Sequence, residues 1–78
     1  MQTDHYVQTF HRKGKRLTSS QPERCKSLEQ ALVRARRAAE HSAGAAVISV
    51  TGEPEFGEFG EPVLVAHYGE IAPGLSPT

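Results

Sequence analysis

The chain has no tryptophan, one cysteine, two tyrosines and three phenylalanines in 78 residues. After Arg37 it has no lysine or arginine. Each scarcity removes a class of protein. The lone Cys25 excludes a disulfide framework and fits a reducing compartment. No apolar run approaches the ~20 residues of a membrane span. The segment up to Tyr6 carries Asp4 and His5 where an export signal needs a basic start and an apolar stretch. The expectation is a cytoplasmic protein with no membrane partner. With so few large side chains the core is thin: a chain of this size buries only about 60% of the surface its unfolded form exposes. Self-association is one remedy.

What is present is segregated charge. All nine basic residues lie between Arg12 and Arg37, with four acids in the same first part, Asp4, Glu23, Glu29 and Glu40, a formal +5. The remaining five acids, Glu53, Glu55, Glu58, Glu61 and Glu70, stand without a base, a formal −5. The neutral total therefore hides a dipole, which suits contact with a charged partner, with another copy or with solvent.

Tyr6 to Phe10 is rich in aromatic and β-branched residues and reads as a strand, with Tyr6, Gln8 and Phe10 on one face and Val7, Thr9 and His11 on the other. Gly14 within Arg12, Lys13, Lys15 and Arg16 marks a tight, strongly positive hairpin turn, and Leu17 begins the returning strand. Ser19 to Pro22 reads as loop. Ser27 with Gln30 forms a capping box, so a helix starts at Leu28. Its inner stripe, Leu28, Ala31, Leu32, Ala35, Ala39 and Ser42, is mostly alanine, leaving the two leucines to supply most of the contact area, with Gly44 as the C-terminal cap. Val33 falls outside that stripe. Ala45 to Val50 reads as a central strand with Ala46, Ile48 and Val50 on one face and Ala45 and Val47 on the other, and Val63 to Tyr68 repeats the pattern. The acidic loop between them holds Phe56 and Phe59 and is either mobile or pinned by one ring on the core.

These elements predict one α+β domain over residues 1–71: two layers, one helix on a small antiparallel or mixed sheet, in the order ββαββ, followed by a flexible tail over 72–78. One helix covers one sheet face. The uncovered face, taken to carry Val47 and neighbours of the first hairpin, would be solvated or meet a partner.

Chemistry-bearing motifs are sparse. Cys25 between Arg24 and Lys26, ahead of a helix, is the position best suited to thiolate chemistry, with His41 and His67 as bases that the sequence cannot place beside it. His5, His11, His67 and Cys25 match no zinc spacing, and the loop glutamates lack the spacing of a calcium loop, so no metal or other cofactor is expected. Gly14-Lys15 lacks the remainder of a phosphate-binding loop.

Tyr6-Val7-Gln8-Thr9-Phe10, Gly14, Leu17, Ser27-Leu28-Glu29-Gln30-Ala31-Leu32 and the stretch from Gly57-Glu58 to Gly69-Glu70 together resemble small uncharacterised bacterial proteins of alphaproteobacteria, over most of the chain. That resemblance implies a small cytoplasmic bacterial protein and brings no activity or site residues. Tyr6-Val7-Gln8 before an alanine-rich helix also looks like the start of the SPOR peptidoglycan-binding domain, whose second helix and export signal are missing here. The strands before Ser27 to Leu32 look like the HicB antitoxin fold.

The reading that follows is a noncatalytic interaction or regulatory protein that binds a protein partner or a second copy of itself. Arg12, Lys13, Lys15 and Arg16 would face an acidic partner, and Phe56 and Phe59 would serve as apolar anchors. Two alternatives stay open: nucleic-acid binding through the same basic hairpin, with Tyr6, Phe10 or His11 stacking on bases, and a thiol enzyme or redox sensor using Cys25.

Overall fold

A computed structural model describes residues 2–71 of the chain. The tail expected over 72–78 lies outside the described residues. The predicted Tyr6–Phe10 strand extends in both directions to β1 (Gln2–Lys13). The chain continues through β2 (Arg16–Ser19), β3 (Glu23–Cys25), the helix α1 (Leu28–Glu40), β4 (Gly44–Glu53), a 3₁₀ turn at Pro54–Phe56, β5 (Glu58–Phe59) and β6 (Val63–Gly69). Among the described residues strand accounts for 55% and helix for 22%. The expected two-layer ββαββ α+β architecture is therefore corrected to a mostly-β domain, a curled six-stranded antiparallel sheet carrying one helix.

The extra strands have a physical cause. β1 and β4 pair along nine positions, from Gln2 opposite Gly52 to Phe10 opposite Gly44, and the outer edge of each also offers a ladder of backbone donors and acceptors that must be satisfied. On the β1 side, β2 satisfies Phe10 to Lys13 and β3 satisfies His5 to Val7. On the β4 side, β6 takes Gly44 to Ser49 and β5 takes Gly52 and Glu53. Each edge is thus two short strands end to end. Pro22 and Pro62 stand just before β3 and β6, where the missing amide of a proline is tolerated at a strand entrance.

The hairpin turn is as the sequence requires. Lys13 pairs with Arg16, Gly14 has φ +66, and Lys15 is not among the residues with positive φ, the pattern of a two-residue type II′ turn. The helix start also follows the sequence: Ser27 Oγ accepts from Gln30 N–H at 3.1 Å, while the Gln30 side chain accepts from Lys26 N–H at 2.9 Å. The helix end differs. α1 stops at Glu40, with His41 as its cap donating to Ala38 O, and Gly44 opens β4.

α1 packs on β1, β4 and β6. Val7, Cys25, Ala31, Ala35, Ala45 and Val47 form the core beneath it, flanked by Leu32, Ala38, Ala39, Ala66 and Tyr68. The alanines let the helix lie close to the sheet at the expense of apolar area. Leu28, expected in that core, is 37% exposed, whereas Val33 is exposed as its position predicts. A further correction concerns the faces of β4. Val47 is fully buried under the helix, so the helix-free face carries the opposite set, Ala46, Ile48 and Val50, opposite Gln8, Tyr6 and Asp4 on β1.

Candidate functional site

The helix-free face of the sheet carries an apolar trough of about 390 Å³, lined by Tyr6, Pro22, Ile48, Val50, Phe59 and Pro62, with Asp4 at its end. Strand alternation sends Tyr6 from β1 and Ile48 and Val50 from β4 to this face, and the register seats Tyr6 beside Ile48 and Asp4 beside Val50. Pro22 and Pro62 approach from the gaps in the two edges. Phe59 of β5 pairs with Gly52, where a Cβ would lie 2.8 Å from its ring carbon Cδ1. The missing side chain at Gly52 thus lets the ring lie on the sheet.

Asp4 is the one charged residue in the lining. Its Oδ1 accepts from Gln2 Nε2 at 3.0 Å and from Arg24 Nη2 at 2.8 Å. The Gln2 hydrogen bond, then the charge and hydrogen bond of Arg24, hold its carboxyl below the ordinary 3.8 against an opposing desolvation contribution. The carboxylate therefore enters the trough already paired, and the remaining wall is hydrophobic.

The six sequence-predicted site residues do not form one site. Arg12, Lys13, Lys15 and Arg16 cluster at the β1–β2 hairpin, while Phe56 and Phe59 lie past the other end of β4. At ~3.3 Å per residue the length of β1 separates the two groups by roughly 36 Å, in a molecule of 42 × 23 × 22 Å. Arg12 is tied down: its Nη2 reaches Glu70 Oε2, its Nε donates to Glu70 Oε1 at 3.4 Å, and its Nη1 donates to Lys15 O at 3.4 Å. The Glu70 hydrogen bond and charge raise the Arg12 pKa further above its ordinary value. Lys13, Lys15 and Arg16 have no ion-pair partner among the described residues. Neither phenylalanine of the acidic segment returns to the core: Phe56 is 74% exposed and Phe59 61%. Only Phe59 joins the trough.

Sequence reasoning missed Tyr6, Ile48, Val50 and the two prolines as one surface. The alternating parity of β4 contained the signal, but the register that brings them together is long-range. Two residues named in the alternatives are buried. Phe10, 1% exposed, has no face to offer a base. Cys25 is 5% exposed within the core, its thiol directed at Glu23 O at 3.9 Å, an environment that keeps a cysteine inert. His5, its cross-strand neighbour, shares a hydrogen bond of 2.6 Å with Ser49 Oγ. Among the described residues no group of three His, Cys, Asp or Glu stands where it would hold a metal ion, and no helix is long and apolar enough to cross a membrane.

No protein-family model, curated protein or solved structure matches this chain.

Proposed function

We propose that this protein is a noncatalytic binding module whose helix-free sheet face docks a protein partner. The observation that carries the reading is the trough of Tyr6, Ile48, Val50 and Phe59, an apolar surface that the one α-helix among the described residues, packed on the other face, does not cover. Covering the exposed 61% of Phe59 removes on the order of 120 Å² from water, about 3 kcal/mol, an anchor-sized contribution. The paired Asp4–Arg24 edge supplies the polar rim that protein interfaces have around such a centre. A photo-crosslinking amino acid at position 59, activated in the expressing cell, tests it. A discrete protein adduct at 59, absent at position 33 on the outer face of α1 and lost in Ile48→Asp, supports the reading. No adduct at 59, or adducts at 33 alone, overturns it.

A further inference from the structure

We infer that the partner of this face is a second copy of the chain, stacked face to face with its strands running antiparallel to the first; this rests on the docking reading above. A two-fold interface needs a self-complementary patch. The apolar strip of Ile48 and Val50 on β4, with Tyr6 of β1 beside it and Phe59 at its end, provides one.

Charge then selects between the two ways of stacking. The two-fold axis can run along the strands or across them. An axis along the strands sets the Lys13, Lys15 and Arg16 tip of one copy beside the same tip of the other, and acidic end beside acidic end. An axis across the strands sets each tip at the partner's acidic end, which carries Glu55, Glu58 and Glu61. These three, like the three cations, have no ion-pair partner among the described residues. Like charges side by side disfavour the first arrangement and opposite charges favour the second, twice per dimer. The segregation visible in the sequence is thus the element that sets orientation, and the apolar face supplies the adhesion. Within one copy the two ends lie too far apart to neutralise each other, beyond the ~8 Å over which exposed charges interact at physiological ionic strength.

Sedimentation equilibrium of the full chain at about 20 and 300 mM salt tests the inference. The expected result is a dimer that dissociates about tenfold more readily at the higher salt. Reversing the tip in Lys13→Glu/Lys15→Glu/Arg16→Glu should weaken it at least tenfold at low salt. Reversing the acidic end in Glu55→Lys/Glu58→Lys/Glu61→Lys should do the same. The chain carrying all six changes should regain the parent affinity within about threefold, which excludes misfolding as the cause of the separate losses. Ile48→Asp should be monomeric. A monomeric parent, an open-ended ladder of oligomers, or tip reversal without effect overturns the antiparallel dimer. If the parent is monomeric while position 59 crosslinks a different protein, self-pairing fails and the docking reading stands. If it is monomeric and position 59 crosslinks nothing, both fail.

Discussion

The three phenylalanines provide a controlled comparison, because the same truncation falls on three different environments. Phe10 is 1% exposed, Phe59 61% and Phe56 74%. Removing a fully buried phenylalanine ring costs about 3–5 kcal/mol through lost transfer energy and the cavity left behind. At roughly 0.05–0.15 kcal/mol per residue, the whole domain is stable by about 4–12 kcal/mol, so Phe10→Ala removes about a quarter of it or more. At about 4–8 °C per kcal/mol the melting temperature should fall by at least about 12 °C. Phe56→Ala should stay within about 0.5 kcal/mol of the parent, as surface changes do. Phe59→Ala should be nearly as mild for the isolated monomer yet weaken docking, since its ring contributes to binding rather than to the core. Urea unfolding followed by circular dichroism, on samples dilute enough to be monomeric, gives all three values. Equal losses for Phe10→Ala and Phe56→Ala would refute the burial argument and with it the assignment of the Phe-containing segment to the surface.

Gly44→Ala should destabilise by about 1–3 kcal/mol in the same assay, because its Cβ would stand 2.5 Å from Glu70 N and closer still to Glu70 O, both backbone atoms unable to yield without disturbing the Glu70 N–H to Ala43 O bond of 3.0 Å. Cys25 should react with a thiol reagent at the rate of global unfolding and become fast only in denaturant; rapid labelling of the native protein would contradict its 5% exposure. For pH, the folded Asp4 carboxyl lies below its unfolded 3.8, so its contribution is complete above about pH 5 and is lost as pH falls through the folded value. Asp4→Asn should flatten that part of the acid-unfolding curve and leave the neutral range unchanged in shape; a parent and variant with identical acid limbs would remove the Gln2 and Arg24 contacts as its cause.

Much of the local structure was legible because it is written in neighbouring residues. Gly14 within a charged turn, Ser27 and Gln30 at a helix start, and the apolar alternation of β4 each depend on positions within a few residues of one another. The failures are all long-range. β3 and β5, of three and two residues, are too short to show a period and exist because β1 and β4 had edges left to pair. Gly44 resembled a helix cap by position, but its role is to let the chain at Glu70 pass close. The parity of β4 divided its residues correctly into two sets without saying which set meets the helix. Val47 won because it faces Val7 across the ladder, and that pairing put Ile48 and Val50 on the open side. The basic tip and Phe59 were visible as chemically distinct; their separation along the whole length of β1 was not.

The same economy explains the core and the open face together. A helix of 13 residues is about 20 Å long, little more than half of the roughly 36 Å that β1 spans, and its contact stripe is alanine. It seals one face of the sheet at close range but contributes little apolar area, and the chain has no second helix among the described residues to close the other. On the helix side Leu32 and Tyr68 are the large side chains flanking a core of valine, alanine and Cys25, while Tyr6, Ile48 and Phe59 lie on the side without a helix. The apolar area that would normally be spent inside the monomer is therefore displayed, and anything that covers it adds to the stability of the folded state by mass action. In the proposed dimer folding and recognition draw on one surface. Changes that weaken association, whether in the trough, at the basic tip or at the acidic end, would then lower the stability of the folded dimer by the same free energy.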